Sequence, residues 1–363
     1  MIATKDGRGA KRKVKRRGDE PVRDKKRAEP FRIAGWLVEP GTARTLEIRL
    51  GELYNQSPIG MRTVVMHGKR AGPRLWISGG VHGDELAGIV AVRQVLEVID
   101  PAKLVGTLVA IPCVNELGSL HCSRELPDGR DLNRCFPGSR TGTLASRIAN
   151  AFLREVVSRC THGVDVHTAG GHRDNLPQIR ANLDDLETRK LARCFGTPIV
   201  MHANLRDGSL RQAASARGVP TLLFEGGKAL RHEPLVIDSA AGGILRVMEK
   251  LGMIEGAPPR MQKPLVSRSS SWVRTPRSGY FVPLVDLGDH VRKGHPVAVV
   301  ILRVHEDLAP RRVEVRASDS GVVVGIQRLP LVHVGDPLVH IADIHAHPEP
   351  KRSKRDRDSL PTD

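Results

Sequence analysis

The chain has 363 residues, of which 40% are hydrophobic and 27% charged, and it carries a formal net charge of +17. This composition is typical of a globular protein with one large domain and a smaller one, and no apolar run approaches the ~18 residues that a membrane-spanning helix needs. The N-terminus has no apolar signal region, and the five cysteines are scattered without a Cys-x-x-Cys pair, so we expect a cytoplasmic protein without a disulfide framework or a thiolate zinc site.

Much of the positive charge lies in the two terminal segments. Residues 1–29 are crowded with lysine and arginine and nearly lack apolar side chains, and residues 345–363 have a similar composition. Such segments cannot bury enough apolar surface to offset the entropy lost on ordering, so both are predicted to be disordered basic tails. Basic tails can bind phosphate backbones, but no aromatic side chains are interleaved with these charges. This argues against nucleic acid as a partner and favours solubilising extensions.

The first predicted elements are strands. Residues 31–66 alternate apolar and polar side chains between turn signals, which is typical of strands that lead into a sheet. A short apolar run at residues 74–80 ends at two glycines and predicts a buried strand followed by a tight turn. A helical pattern follows over residues 84–99, and residues 107–114 form another apolar strand. The order of these elements indicates an α/β domain.

Two side chains with metal-binding chemistry follow the first buried strand. His82 and Glu85 come directly after its glycines, at the carboxyl end of a strand, where open α/β sheets usually bind ligands. A His-x-x-Glu pair alone occurs by chance on many surface helices. With a second histidine at another strand end, the pair becomes a candidate for part of a zinc site with two histidines, one carboxylate and one open position.

Residues 116–143 show no convincing periodicity. An irregular stretch of this length inside a compact domain is usually functional. It contains Asn133 and Arg134, with Arg124 and Arg130 upstream. Guanidinium groups bind carboxylates in bidentate fashion, and an asparagine amide can orient the same anion, so this loop is a candidate substrate-binding segment. The alternative is a surface loop with ordinary solvated arginines.

Two further strand ends carry polar side chains. After a predicted amphipathic helix at residues 144–160, a short apolar strand leads to His167, and Asp165 lies on the same face of that strand, where it can orient the histidine ring. The strand at residues 219–227 ends in Glu225 and two glycines. A carboxylate at the end of a buried strand is costly unless it is used, which makes Glu225 a candidate general base.

From residue 262 to residue 344 the pattern changes to short strands and turns. A Gly-Asp turn followed by a β-branched run recurs at 287–297 and 334–338, which resembles the compact barrel-sandwich domains of lipoyl and biotinyl carriers. A carrier needs an acceptor lysine at its central hairpin, and residues 302–316 contain none. We therefore expect a structural or capping β domain.

The polar side chains occur in the order His82 and Glu85, Asp-Leu-Asn-Arg at 131–134, His167, and Glu225. This order resembles that of the succinylglutamate desuccinylase/aspartoacylase family of zinc-carboxypeptidase-like metallohydrolases, and the resemblance covers roughly residues 57–251. It implies an α/β fold with a mixed sheet and helices on both faces. The small C-terminal all-β barrel-sandwich domain is also similar to that family's architecture.

The resemblance implies a division into domains and a metal centre. The zinc hydrolase catalytic domain would span residues 30–258, and the small β domain residues 262–344. One Zn²⁺ per chain would be held by His82, Glu85 and His167, and Glu225 would serve as the general base.

The resemblance also implies the residues that bind the substrate. Asn133 and Arg134 would hold a substrate carboxylate, and Arg211 would be a second carboxylate contact. Arg124 would polarise the scissile carbonyl; it is preferred to Arg130, which lies only three residues from Asn133. The spacings of Arg124 and Arg211 differ from those of aspartoacylases.

Together these features predict a zinc-dependent deacylase that cleaves the amide bond of a small N-acylated amino acid or a similar carboxylate-bearing compound. Zinc in such a site lowers the pKa of bound water to about 7. One alternative is a metallocarboxypeptidase that trims a peptide C-terminus, although a capping β domain favours a small molecule. The other is a non-catalytic protein that binds nucleic acid or another anion, against which the complete set of ligands and base argues. The sequence leaves the acyl group, the amine and the oligomeric state open.

Overall fold

A computed structural model describes residues 27–52, 55–260, 262–302 and 311–344. Most of the predicted N-terminal tail, residues 1–26, and the whole predicted C-terminal tail, residues 345–363, lie outside the described residues. Residues 303–310, which are most of the segment examined for a carrier lysine, also lie outside the described residues. The helices and strands below are numbered in chain order.

The strands of the first part of the chain are β1 (Phe31–Ile33), β2 (Trp36–Val38), β3 (Thr42–Glu52), β4 (Pro58–His67), β5 (Arg70–Gly79), β6 (Val105–Ile111), β7 (His162–Ala169), β8 (Arg173–Ala181), β9 (Ile199–His202) and β10 (Thr221–Lys228). The later strands are β11 (Leu265–Ser267), β12 (Ser269–Arg274), β13 (Gly279–Pro283), β14 (His290–Val291), β15 (Pro296–Leu302), β16 (Arg311–Arg316), β17 (Gly321–Gln327), β18 (Leu331–Val332) and β19 (Pro337–Asp343).

The α-helices are α1 (Leu86–Val98), α2 (Glu116–Leu120), α3 (Leu144–Glu155), α4 (Leu186–Phe195), α5 (Leu210–Ser215) and α6 (Pro234–Lys250). Two single 3-10 turns are formed by Leu132–Arg134 and Val157–Arg159. No helix among the described residues has the length and apolar character required to cross a membrane.

A mixed sheet of 13 strands organises the molecule. Its central strands β6, β5, β7 and β10 are parallel neighbours, and antiparallel strands extend it on both sides. Parallel strands are usually buried on both faces, and β6 accordingly has all of its residues buried. The mixed α/β sheet predicted from the sequence is confirmed.

Helices cover both faces of this sheet, because successive side chains of a strand point to opposite sides. On β5, Leu75 and Ile77 pack into a core with α1, α4 and α6, whereas Trp76 packs into the opposite core with α3 and α5. Trp76 lies over Gly163 of β7, where an added Cβ would come within 2.0 Å of the indole ring. The glycine therefore makes room for the largest side chain of that core.

The C-terminal strands form two sheets around a core of their own. Strands β12, β19 and β17 join the large sheet through β8, where Gly325 is in register with Asn175. Strands β16, β15, β13 and β18 form a separate four-stranded sheet. Apolar side chains of both sheets, such as Val323 and Val300, share one hydrophobic cluster. The region thus has its own core, but its hydrogen bonding continues the α/β sheet without interruption.

Two local elements differ from those predicted. The helix predicted at residues 144–160 ends at Glu155 and continues as a 3-10 turn. The loop that lacks periodicity begins with α2, which is capped by the Asn115 side chain, an acceptor for Gly118 N at 2.8 Å. A helix of five residues is too short to produce a recognisable hydrophobic period.

The basic N-terminal tail ends earlier than predicted. The sequence places residues 27–29 in the tail, but in the structure they pack on the domain. Ala28 is 7% exposed, and its N–H donates to the Lys69 carbonyl at 2.9 Å. Nε2 of His67 donates to the Glu29 carbonyl at 2.8 Å. One alanine within a charged run gives no hydrophobic signal, so composition alone assigns it to the tail.

We predict that deletion of residues 1–26 and deletion of residues 1–29 have different effects. The longer deletion removes the hydrogen bonds of Ala28 and Glu29 and should lower the free energy of unfolding by about 2 kcal/mol, since each bond contributes about 1 kcal/mol. The shorter deletion removes none of the described contacts and should leave stability unchanged. Urea denaturation of both variants measures the difference, and equal midpoints would contradict the packing of residues 27–29.

Candidate active site

The predicted metal ligands lie at the carboxyl ends of two neighbouring parallel strands. His82 and Glu85 follow β5, which pairs in parallel with β7, and His167 lies near the end of β7. On the other side of β7, Glu225 of β10 is in register with His167. Because the carboxyl ends of parallel strands meet at one edge of a sheet, side chains far apart in the sequence come together here.

His82, Glu85 and His167 form one compact cluster. Nδ1 of His82 lies 2.7 Å from Oε1 of Glu85, and Nδ1 of His167 lies 2.8 Å from Oε2 of the same carboxylate. The two Nδ1 atoms are 3.2 Å apart. The three side chains are at most 3% exposed, and one potential ligand atom from each lies within 4.8 Å of the others.

A carboxylate lies within hydrogen-bonding distance of Nε2 of each histidine ring. Nε2 of His82 lies 3.1 Å from Oδ1 of Asp131, and Nε2 of His167 lies 2.7 Å from Oδ2 of Asp165, the contact expected from the strand spacing. Asp165 is held in turn by the Ser78 hydroxyl, which donates to Oδ1 at 2.6 Å. Since an ionised carboxylate only accepts, Nε2 of each ring donates, which fixes the ring orientation and points Nδ1 at Glu85.

The electrostatics of the cluster favour a cation at its centre. Burial acts to lower the pKa of His167, but Asp165 and Glu85 raise it well above its ordinary value. Burial likewise opposes charge on Glu85, yet His82 and His167 hold its pKa well below the usual range. The cluster therefore attracts positive charge, which protons or a metal ion can supply. Two imidazole nitrogens and one carboxylate are a donor set that fits zinc.

Arg124 and Asp131 stand beside this cluster. Arg124 donates to Oε1 of Glu85 from Nη1 at 3.2 Å and to Oδ2 of Asp131 from Nη2 at 3.1 Å. Burial opposes ionisation of Asp131, but the hydrogen bond from His82 and the charge of Arg124 hold its pKa well below the usual value. Asp131 is a site residue to which the sequence analysis gave no role, although it begins the Asp-Leu-Asn-Arg motif.

The predicted carboxylate-binding residues also face this region. Asn133 is buried, and its Oδ1 accepts a hydrogen bond from Leu210 N at 2.9 Å, which leaves its amide nitrogen for a ligand. Arg134 is exposed, with Nη2 at 4.0 Å from Oδ2 of Asp131. Arg130, the rejected alternative to Arg124, is exposed and lies outside the cavity lining.

Arg211 is held by the backbone. Its guanidinium donates to the carbonyls of Ala203 at 2.9 Å and Asn204 at 2.7 Å. Burial and the neighbouring Arg180 lower the pKa of Arg211 to about 10, so the group stays charged at neutral pH. The two backbone bonds hold the guanidinium at the cavity wall.

Glu225 has one hydrogen-bond partner among the described residues. Nδ2 of Asn175, on β8, donates to Oε2 of Glu225 at 2.8 Å. The β8–β10 register shifts between Glu225 and Gly227, next to this bond. The glycines after Glu225 therefore lie at an irregularity of the sheet.

All eight predicted site residues line one cavity of about 630 Å³. The structure thus brings together His82, Glu85, Arg124, Asn133, Arg134, His167, Arg211 and Glu225. The lining also includes residues that the sequence did not indicate, and four of them, Arg173, Asn175, Arg180 and Trp272, lie on strands. Three of these lie on β8 and one on β12, and neither strand ends in the pair of glycines that marks the ends of β5, β7 and β10.

The chain is similar to several known proteins. Residues 71–251 match the family model of the succinylglutamate desuccinylase/aspartoacylase catalytic domain. N-alpha-acetyl-L-2,4-diaminobutyric acid deacetylase of Halomonas elongata is 29% identical over 294 residues, which are 78% of this chain and 85% of that protein.

Solved structures of known proteins are also similar to this chain. Succinylglutamate desuccinylase/aspartoacylase of Rhodobacter sphaeroides has a TM-score of 0.74 at 27% identity, over 84% of this chain and 96% of that chain. The fold of the ectoine utilization protein EutE (DoeB) of Ruegeria pomeroyi is also similar, with a TM-score of 0.75 at 23% identity, over 86% of this chain and 98% of that one. Through its segment 71–251, the chain belongs to the succinylglutamate desuccinylase/aspartoacylase family.

Proposed function

We propose that the protein is a zinc-dependent amidohydrolase that removes the acyl group from a small N-acylated amino acid. The convergence of His82, Glu85 and His167 beside Glu225, in a cavity rich in arginine, carries this proposal. The name of the Halomonas elongata relative, a deacetylase of an N-acetylated diamino acid, supports the same reaction class. We assign the catalytic chemistry to residues 30–258 and a capping role to the β region at 262–344.

We propose zinc as the metal because the donor set contains two imidazoles and one carboxylate and leaves a coordination position for substrate or water. His82, Glu85 and His167 would hold the ion, with Asp131 and Asp165 orienting the rings. When bound, zinc acts as a Lewis acid that polarises the acyl carbonyl and lowers the pKa of water. We also propose a cytoplasmic location, because the five cysteines are scattered along the sequence without a Cys-x-x-Cys pair.

The protein side chains would carry the proton and hold the substrate. Glu225 takes a proton from the attacking water and passes it to the departing nitrogen as the amide C–N bond breaks, which yields a carboxylate and a free amine. The positive charge of Arg124 beside the cluster would stabilise the oxyanion that forms at the carbonyl oxygen. Asn133 and Arg134 would hold a carboxylate of the substrate.

The charge of the cavity favours a substrate with a carboxylate. Nε of Arg173 and Nε of Arg180 are buried and have no hydrogen-bond partner among the described residues. Neither guanidinium forms an ion pair among the described residues, although Cζ of Arg173 lies 5.2 Å from the centre of the Trp272 ring. An anionic substrate would supply the missing counter-ion. This supports an N-acyl amino acid over a neutral amide.

The size of the cavity favours a small molecule over a peptide. Its volume of about 630 Å³ lies within the range of small-molecule pockets. Trp272 forms part of the wall, so the C-terminal β region contributes to the lining. A carboxypeptidase needs room for the rest of the peptide, and this alternative is therefore second.

We predict that the purified protein binds one zinc per chain and that His167→Ala removes most of it, because one of three ligands is lost. His121→Ala, which changes an exposed histidine outside the cavity, is the control. Elemental analysis after dialysis measures the metal, and circular dichroism checks that both variants are folded. An unchanged zinc content in folded His167→Ala would contradict the assignment of His167 as a ligand.

We predict that the two glutamates respond differently to conversion into glutamine. Glu225→Gln should keep its zinc and lose at least ~10²-fold in kcat, since only a proton acceptor is removed. Glu85→Gln should lose zinc, because a neutral amide is a poor ligand. Zinc content and turnover of both variants decide the matter; loss of zinc in Glu225→Gln with retention in Glu85→Gln would mean that the roles are reversed.

We predict that turnover requires a free carboxylate on the substrate. A panel of N-acetyl and N-succinyl amino acids, their carboxamides, N-acetyl-diamino acids and short peptides tests this. Arg134→Ala should raise KM about tenfold for the acids and leave it unchanged for the amides, because a charged hydrogen bond is lost only with the acids. The exposed Arg130→Ala is the matched control. Faster cleavage of peptides than of N-acyl amino acids would favour the carboxypeptidase instead.

A further inference from the structure

The carboxylate of Glu225 has two oxygens in different surroundings. Oε2 accepts the amide hydrogen bond of Asn175 at 2.8 Å, and no other described side chain hydrogen-bonds this carboxylate. One oxygen is thus anchored, which leaves Oε1 to receive a proton. Glu225 needs such an anchor, because a side chain with three rotatable bonds otherwise samples several orientations.

Asn175 is well placed to hold the carboxylate still. It is 5% exposed and lies on β8, between β10 and the C-terminal strand β17. It is in register with Gly227 on one side and with Gly325 on the other. An asparagine buried between two strands and bonded to a neighbouring carboxylate has few alternative rotamers, since packing limits its movement.

Gly325 of strand β17 lies close to the side-chain oxygen of Asn175. A Cβ added at Gly325 would lie 3.0 Å from Oδ1 of Asn175 and 3.2 Å from Cβ of His340. The carboxylate accepts only, so the amide must present Nδ2 to Glu225 and Oδ1 to β17. The absence of a side chain at residue 325 therefore lets the amide adopt the orientation in which it donates to Glu225.

We propose that Asn175 is the positioning residue for Glu225 and that β17, through Gly325, holds Asn175 in place. The inference rests on the proposed function, in which Glu225 is the base. Asn175 does not itself take part in proton transfer; it keeps one carboxylate oxygen fixed and the other directed at the water. The C-terminal β region then contributes to catalysis by setting the geometry of the base, in addition to closing the cavity.

Two other roles for Asn175 make different predictions. If Asn175 only filled space, an isosteric replacement would preserve activity. If it bound the substrate, its loss would raise KM and leave kcat unchanged. A positioning role instead lowers kcat and leaves KM nearly constant, because the interaction affects the transition state more than substrate binding.

The kinetic experiment compares four variants of the full chain with zinc bound, on the best substrate of the panel. Asn175→Ala should lower kcat about tenfold, the usual effect of one hydrogen bond to a charged group, with KM within about twofold of wild type. Asn175→Asp keeps the shape but loses the donor and should lower kcat at least as far. Gly325→Ala should have a smaller effect in the same direction, because its Cβ crowds Oδ1.

Leu176→Ala is the matched control. Leu176 neighbours Asn175 on β8, but it packs into a separate cluster with β9, β17 and β19 residues. Its truncation should lower the melting temperature and leave kcat unchanged. A wild-type kcat in Asn175→Asp, or a rise in KM alone in Asn175→Ala, would overturn the positioning role.

A second measurement does not depend on turnover. In protein labelled with ¹⁵N on asparagine, the side-chain amide signal of Asn175 is identified by its disappearance in Asn175→Ala. It should shift in Glu225→Ala and stay in place in Leu176→Ala; an unshifted signal in Glu225→Ala shows that the bond is absent and overturns the inference. A wild type inactive on the whole panel overturns the proposed function and the role of Asn175 with it. A wild-type rate in Asn175→Ala overturns that role alone.

Discussion

The site depends on a cluster of hydrogen-bond acceptor atoms that belong to buried side chains. Nδ1 of His82 and Nδ1 of His167 face the two oxygens of Glu85, and a carboxylate behind each ring prevents it from turning away. Such a group is stable only with a positive charge at its centre, since buried acceptors without donors are costly. Arg124 supplies part of that charge from the side. The surrounding loops are therefore arranged to supply and orient charge.

The parallel strands explain how so few residue types suffice. β5, β7 and β10 end at one edge of the sheet, so each needs only one or two polar side chains at its end to build a shared site. The other residues of these strands are mainly apolar, and they stabilise the fold by filling the cores on both faces of the sheet. Trp76 over Gly163 shows how closely neighbouring strands must match. In each strand, most residues serve packing, and the residues with catalytic or ligand chemistry lie at its carboxyl end.

Much of this arrangement was predictable from the sequence, and the remainder was not for definable reasons. Apolar runs that end in glycine predicted where His82, His167 and Glu225 lie, because that pattern is local. The partner of Glu225 was not predictable, because Asn175 reaches it through the antiparallel register of β8 and an irregularity near Gly227. Trp272 reaches the cavity from a distant strand. Contacts of this kind are set by tertiary pairing and leave no local pattern.

The continuity of the sheet through β8 and β17 has a consequence for how the chain can be divided. The segment 71–251 that matches the family contains the candidate metal ligands and the candidate base, yet Arg173, Asp174 and Asn175 on β8 complete their ladder only with β17. A fragment cut after α6 would leave that part of β8 as an open edge, and open edges recruit other chains. The segment recognised by the family match therefore ends before the strands that close this edge of β8, so a fragment intended to carry the whole site has to include the C-terminal strands.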